Sequence, residues 1–398
     1  MADLSVLPVP GGDAVLGLLP HLQRILDGDA DPALPVPADD DRERRRLTDA
    51  LEPGTPIDPA TALVLATSGS TGVPKGALLT AAALRASAAA THERLGGTGN
   101  WILALPAHHI AGMQVVLRSL AAGGEPVVVD VRTGFDPADL VHAVASTPGP
   151  RRYTSLVPTQ LIKALDHPDA TAALASLDAV LLGGAATPGP VLERAVDAGI
   201  TVVRTYGMTE TCGGCVYDGI PLDGVQIRID GSANDGMPKD GISKDGGRIL
   251  LGGPTLASGY RGLPDHPAFA EPGWFTTDDL GRVVDGRVQI LGRLDDAITS
   301  GGLTVVPRVV EDAIARLDGV AECVVVGVPD ERLGQRVGAL VVVGPGATIT
   351  PTSVREQVST VLGSAAAPRQ VMIVDALPQR GPGKVDRVAA RAVLVTGA

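Results

Sequence analysis

Lysine is scarce in this chain: of 33 basic residues, only Lys75, Lys163, Lys239, Lys244 and Lys384 are lysines. Two of them sit in turns framed by glycine and proline. Lys75 closes the run Thr67-Ser68-Gly69-Ser70-Thr71-Gly72-Val73-Pro74-Lys75-Gly76, and Lys384 lies in Gly381-Pro382-Gly383-Lys384-Val385-Asp386-Arg387. A composition that otherwise prefers arginine thus keeps a compact ammonium on a flexible stem at two turns. Such a point charge suits phosphate oxygens. Ahead of Lys75, glycines and hydroxyls allow backbone N–H groups to close on an anion. The run is not the common P-loop, because Pro74 stands where that motif has its second glycine.

The elements that must position these turns follow from periodicity. Short apolar runs at 62–66, 126–131, 152–157, 179–182 and 201–204 read as strands. They alternate with helical stretches at 80–94, 136–145, 159–165 and 188–198, which predicts largely parallel sheet covered by helices. The loop 67–76 is expected to follow a strand and precede a helix, an anion-binding arrangement. Near the N-terminus, Val15, Leu18, Leu19, Leu22, Ile25 and Leu26 recur at helical spacing, with Asp13 as N-cap and Gly28 as stop. Residues 29–60 are rich in Pro and Asp, with one basic helical run at Arg42–Arg46. Beyond Met208 come strands at 225–229, 248–251 and 288–291, with 231–247 read as a hairpin loop. From Asp295 the order is strand, helix (307–317), strands (323–327, 339–343), helix (353–362), strand (370–374) and a last helix from Asp386. The expected fold is α/β: a large N-terminal domain, 1–294, of parallel sheets covered by helices, and a small α+β domain, 295–398, carrying the Lys384 turn.

Composition narrows the function. The chain has 398 residues and is 44% hydrophobic but 2% aromatic, so Ala, Val and Leu must fill its core. A net charge of −12 argues against nucleic acid or an anionic membrane as partner. No run of about 18 apolar residues is free of charge or His, and no basic stretch precedes an apolar one at Met1–Pro10, so neither a span nor a secretory leader is expected. Three cysteines make no disulfide framework. A cytoplasmic location is the expectation. Whether the chain self-associates stays open.

The run from Thr67 to Gly76 resembles the signature loop of the adenylate-forming superfamily of acyl- and aryl-CoA ligases. Four further motifs follow in the family's order: Tyr206-Gly207-Met208-Thr209-Glu210-Thr211, Trp274-Phe275-Thr276-Thr277-Asp278-Asp279-Leu280-Gly281, Gly292-Arg293-Leu294-Asp295-Asp296 and the Gly383-Lys384 turn. The resemblance implies ATP, Mg2+ and coenzyme A. It places Thr67, Ser68, Gly69, Ser70, Thr71, Gly72 and Lys75 on phosphates, and Gly184, Tyr206 and Gly207 around adenine. Thr209 faces the α-phosphate, and Glu210, a hard oxygen donor, holds Mg2+. Asp279 accepts from the ribose hydroxyls, Arg293 contacts the nucleotide, and Asp295 is the hinge. The family has Gly where Asp278 stands, so the choice of Asp279 rests on register. The resemblance also makes the small domain mobile: Lys384 bridges the acid carboxylate and the nucleotide for attack at the α-phosphorus, then withdraws as that domain turns to admit coenzyme A.

The acid is expected between the loop and the Tyr206 segment. Ser155-Leu156-Val157-Pro158-Thr159-Gln160-Leu161, Leu182-Gly183-Gly184-Ala185-Ala186 and the run from Tyr206 to Asp218 resemble, in particular, the o-succinylbenzoate–CoA ligases of menaquinone biosynthesis. The implied substrate is an aromatic dicarboxylic acid. One carboxylate is activated and the other wants donors, for which Thr154 and Ser155 are candidates beside Gly183, with Arg151 or Arg152 as a charge. His109 matches a usual pocket position, either touching substrate or serving structurally. Cys212-Gly213-Gly214-Cys215 has neither a second pair for zinc nor a thioredoxin-like context, so it reads as small residues lining a pocket. Another acyl-CoA ligase is the alternative, and a nucleotide-binding protein without catalysis is the alternative of a different class.

Overall fold

Apolar runs and helical stretches alternate into an α/β fold, seen in a computed structural model that describes residues 2–67, 73–230, 246–344, 346–379 and 385–397. The chain divides into two compact units. One comprises Met1–Ala186, Arg194–Ile227 and Leu251–Thr276; the other comprises Thr187–Glu193, Arg228–Leu250 and Thr277–Ala398.

The first unit is built on a seven-stranded sheet in the order Ile220–Pro221, Gly213–Tyr217, Val202–Met208, Ala179–Leu182, Arg152–Leu156, Asn100–Leu103, Val127–Val128. The five strands from Val202–Met208 to Val127–Val128 are parallel; the Gly213–Tyr217 strand turns back antiparallel. The strand expected at 126–131 is reduced to Val127–Val128. Two helices went unforeseen, the short Pro168–Ala175 and the longer Ile110–Ala121. The Ile110–Ala121 helix is buried continuously from Gly112 to Ser119, so it has no polar face whose period could announce it.

A second sheet runs Ser5–Val9, Ala33–Pro37, Thr61–Thr67, Lys75–Thr80. Its Ala33–Pro37 strand is wholly buried, and Leu34 and Val36 pack with Leu4, Leu47, Leu51, Ile57 and Val64. The basic run belongs to the helix Asp41–Leu51, which turns Leu47 and Leu51 into that core. At the N-terminus a 3-10 turn, Gly12–Leu18, leads into the helix Leu19–Asp27. Gly28 stops it in the left-handed region (φ 79°), as expected, but the cap of the first turn is Gly11 and not Asp13.

In the second unit, the sheet Leu303–Val305, Ile298–Ser300, Gly334–Val343, Val320–Asp330 takes Gln370–Ile373 as a parallel partner of Gly334–Val343. The helices Pro307–Ile314 and Pro351–Leu362 supply Val310, Ile314, Val354 and Val358 to one core cluster. The helix Arg387–Thr396 supplies Ala390 and Leu394 to another. Among the described residues no helix is long and apolar enough to cross a membrane, and Cys212, Cys215 and Cys323 are free thiols.

Scarce aromatics are concentrated. Trp101 packs on Tyr153 with ring centroids 5.1 Å apart, and its Nε1–H donates to His92 Nε2 at 3.2 Å. Burial pushes the His92 pKa down to about 4, with the Arg118 charge acting in the same direction. His92 is therefore neutral when folded, whereas in the unfolded chain it binds a proton below about 6.5. Its contribution is complete above pH 6.5 and drains away as pH falls toward 4, by about 3 kcal/mol at the limit. His92→Gln, still able to accept from Trp101, is expected to flatten the fall in Tm between pH 6.5 and 4. An acid limb identical to wild type would refute this.

Candidate active site

Parallel strands place their carboxyl ends on one edge, where open α/β sheets bind ligands. In register, Leu156, Leu182 and Arg204 stand side by side. Residues just around or past that line are Ser155, Gly183, Gly184 and the segment Tyr206–Glu210. His109, past the end of Asn100–Leu103, is the N-cap residue of the Ile110–Ala121 helix. Gln160, which sequence reasoning did not single out, ties this edge together: its Nε2 donates to the Ala104 carbonyl at 2.7 Å, and its Oε1 accepts from the Val157 N–H at 3.0 Å.

Glycine is required where the chain doubles back. A Cβ on Gly207 would stand 2.1 Å from the Gly213 carbonyl oxygen, and one on Gly183 would stand 2.3 Å from Thr205 Oγ1. Thr211 locks the turn, accepting from Met208 N–H at 3.0 Å with its hydroxyl 2.7 Å from the Gly213 carbonyl. The turn leaves Tyr206 half-buried on the strand, and Thr209 and Glu210 buried just after it.

Around Glu210 the structure adds residues the sequence did not nominate. Tyr260 donates its phenol O–H to Glu210 Oε1 at 2.5 Å. Lys75 Nζ lies 5.1 Å from the centre of the Tyr260 ring and 3.2 Å from His266 Nε2. The His266 and Phe269 rings meet Tyr260 edge-on. Lys75 and Glu210 are thus joined through one tyrosine. The available signal was rarity: the chain has only four tyrosines. Among the described residues no three His, Cys, Asp or Glu side chains gather into a self-sufficient metal cage. A single buried carboxylate nevertheless fits Mg2+, which retains waters and completes its shell with phosphate oxygens.

Several expectations need correction. The Thr67–Lys75 segment does not lead from strand to helix. Thr67 pairs with Lys75 across two antiparallel strands, and the strand Lys75–Thr80 precedes the helix Ala81–Arg94, so the segment joins a hairpin. Thr154 is fully buried and spends its proton on the Ile102 carbonyl at 3.1 Å, which removes it as a donor to substrate. Ser155, next along the strand, faces the opposite side. Arg151 and Arg152 stand at the wrong end of their strand. Arg152 bonds the Val144 and Ser176 carbonyls, and Arg151 lies against Gly97 and Gly99. His109 is exposed, with its ring centroid 4.2 Å from that of His108; burial pushes the His108 pKa down to about 4, helped by the His109 charge. Ser68, Gly69, Ser70, Thr71, Gly72 and Lys384 lie outside the described residues.

The second unit gathers the remaining candidates. Asp279 pairs with Arg293 across the antiparallel strands Trp274–Val284 and Arg287–Arg293. The Asp279 side chain is 12% exposed and that of Asp278 62%. Thr277 fixes this strand, donating to the Ile249 carbonyl at 2.7 Å and accepting from Asp279 N–H at 3.0 Å. Arg293 forks onto Asp295 with two bonds of 2.8 Å and lies 3.8 Å from both Asp278 and Asp279. The Asp295 hydrogen bond holds the Arg293 pKa above the usual range. Burial opposes ionisation of Asp295, but Arg293 outweighs it and keeps that carboxyl low. The ends flanking the Lys384 turn are pinned: Gln379 bridges Val385, and Asp386 N–H donates to the Pro378 carbonyl at 2.8 Å. Arg387 reaches Glu311 at 2.8 and 3.1 Å, the Val325 carbonyl at 2.7 Å and Asp296 at 3.3 Å.

Known proteins resemble this chain along most of its length. Residues 8–261 match the AMP-binding enzyme family and residues 309–384 its C-terminal domain. A "Probable 2-succinylbenzoate--CoA ligase" of Mycobacterium tuberculosis is 52% identical over 392 residues, 97% of each chain. ATP-bound MatB from Rhodopseudomonas palustris has 27% identity and a TM-score of 0.74 over 98% of this chain and 79% of its own. The o-succinylbenzoate CoA synthetase of Bacillus subtilis, in complex with its acyl-adenylate, shares the fold with a TM-score of 0.74 at 24% identity, covering 98% and 88%. With a strand-edge site built on the Tyr206–Glu210 turn and both family regions matched in order, the chain belongs to the AMP-binding enzyme family.

Proposed function

We propose that this chain is an ATP-dependent 2-succinylbenzoate–CoA ligase, converting the acid, ATP and coenzyme A to the acyl-CoA, AMP and pyrophosphate through an acyl-adenylate. The observation that carries the choice of acid is the 52% identity, across 97% of both chains, with the M. tuberculosis relative of that printed name.

The difficulty of the first half-reaction is electrostatic, because a carboxylate must approach a polyanion. Lys75 and the Thr67–Gly72 groups bind the phosphates, Thr209 donates to the α-phosphate, and Lys384 holds the attacking carboxylate in line. Glu210 would hold Mg2+, which when bound neutralises phosphate charge. The Tyr260 phenol fixes one Glu210 oxygen and so orients the carboxylate. Tyr206, Gly207 and Gly184 receive adenine; Asp279 accepts from the ribose, for which its burial beside Arg293 supports it over the exposed Asp278. Ser155, Gly183 and His109 border the acid. For the second half-reaction, residues 295–398 swing about Asp295, withdraw Lys384 and admit coenzyme A. Residues that absorb large φ/ψ changes at an element's end permit such motion, and here the Arg293–Asp295 fork must be carried along or released.

Pyrophosphate release is expected with 2-succinylbenzoate and not with fatty or simple aromatic acids; release driven only by another acid would overturn the choice. Lys384→Ala is expected to lose adenylation by about 10²-fold or more while still forming thioester from supplied acyl-adenylate. Equal losses in both halves would contradict the swing. Tyr260→Phe removes a hydrogen bond to a buried carboxylate and is expected to cost about 1.5–3 kcal/mol in urea unfolding at pH 7. An unmoved midpoint would show that the contact carries no weight.

A further inference from the structure

The helices Leu19–Asp27, Ala81–Arg94 and Ile110–Ala121 border a cavity of about 560 Å³, a volume at which proteins hold small molecules. Its lining includes Thr98, which precedes the strand Asn100–Leu103, and Leu120, about 16 Å along its helix from His109. The cavity therefore lies toward the amino ends of the parallel strands, away from the edge that carries Tyr206–Glu210. Its floor is apolar, formed by the buried Leu26, Leu84, Ala88 and Leu117. One buried polar side chain interrupts it. His92 is 5% exposed, and its Nε2 accepts the Trp101 N–H at 3.2 Å. A neutral imidazole has one donor and one acceptor nitrogen, so the ring proton sits on Nδ1. Among the described residues nothing accepts from Nδ1. That nitrogen is not sealed off either, and the cavity is the opening that His92 borders. Native proteins seldom leave such a donor unanswered.

Charge around the cavity narrows the choice of guest. Arg85 is paired with Asp27, which also accepts from Gln23 Nε2 at 2.8 Å. Glu93 is the other charged side chain of the lining, and Arg151, packed on Gly97, is not part of it. No unanswered cation awaits an anion there, and Glu93 would repel one. We propose that this cavity binds an uncharged, mostly apolar ring compound whose carbonyl oxygen accepts from His92 Nδ1–H. The rings would take apolar surface out of water along the floor, and the carbonyl would supply the missing acceptor. Trp101, His92 and the guest would then form one chain of hydrogen bonds reaching from the core to the ligand. The site is independent of which acid is activated at the strand edge.

Ligand-observed NMR titration of the full chain tests this with three probes: 1-tetralone, which has two fused rings and one ketone; tetralin, the same rings without it; and the anion tetralin-1-carboxylate. The ketone is expected to bind about 10-fold tighter than tetralin, through one added hydrogen bond. In a merely apolar cavity the order would be reversed, because tetralin is the more hydrophobic. His92→Leu removes the donor and should produce that reversal. His92→Gln can still accept from Trp101 and donate into the cavity, so it should keep the preference for the ketone. Ala89 lines the cavity from an exposed position, and Ala89→Trp should abolish binding of ketone and hydrocarbon alike. Tetralin binding as tightly as 1-tetralone, the carboxylate binding tightest, or no saturable binding would each overturn the inference. Binding that survives Ala89→Trp would place the ligand elsewhere and overturn it too. Should His92→Leu fail to fold, the three probes on wild type and on Ala89→Trp decide.

Discussion

No side chain fits between the strand Val202–Met208 and the turn that follows it. Gly207 abuts the Gly213 carbonyl so closely that even a methyl group would overlap it. This backbone-on-backbone approach fixes where the chain reverses and therefore where its neighbours point. Tyr206 is held on the strand before the reversal, Thr209 and Glu210 in it, and the Gly213–Tyr217 strand after it. Cys212 adopts a left-handed conformation (φ 52°) to complete the turn, and Thr211 staples it from within. The polar chemistry of the first unit then assembles on this frame through Tyr260, which links Glu210 to the Lys75 strand.

Most elements were legible because their apolar periods were unmixed. The helices Leu19–Asp27 and Pro307–Ile314 carry one apolar face at helical spacing, and Ala179–Leu182 is a short apolar run of strand length. The failures have physical causes. Ala33–Pro37 is a fully buried strand, but prolines at 35 and 37 demote it in any local reading. The Ile110–Ala121 helix is packed on all sides and shows no polar stripe. Lys75–Thr80 was divided between the loop 67–76 and the start of the helix at Thr80, since so short an apolar run is ambiguous until a partner strand pins the register.

For the site, motifs located the turns but not what surrounds them. Glu210 and Lys75 were nominated separately; the tyrosine between them lies 50 residues from Glu210 along the chain and carries no local motif. Thr154 shows the converse. Its type and place suit a substrate donor, yet only the neighbouring strand reveals that its hydroxyl is already committed. In the second unit the electrostatics are shared and not pairwise: Arg293 answers Asp278, Asp279 and Asp295, while Arg387 answers Glu311 and Asp296. Burial raises the Asp296 pKa despite Arg387, so the carboxyls at 295 and 296 are tuned in opposite directions side by side.

Cys212 and Cys215 bracket the glycine pair, and burial drives both thiol pKa values upward, that of Cys215 to about 12. A mixed anhydride of carboxylate and phosphate is attacked by thiolates, not by thiols. Kept protonated, these sulfurs are poor nucleophiles toward any acyl-adenylate the enzyme forms. Burial at this turn thus keeps the chain's own thiols out of competition with the thiol cosubstrate of a CoA ligase.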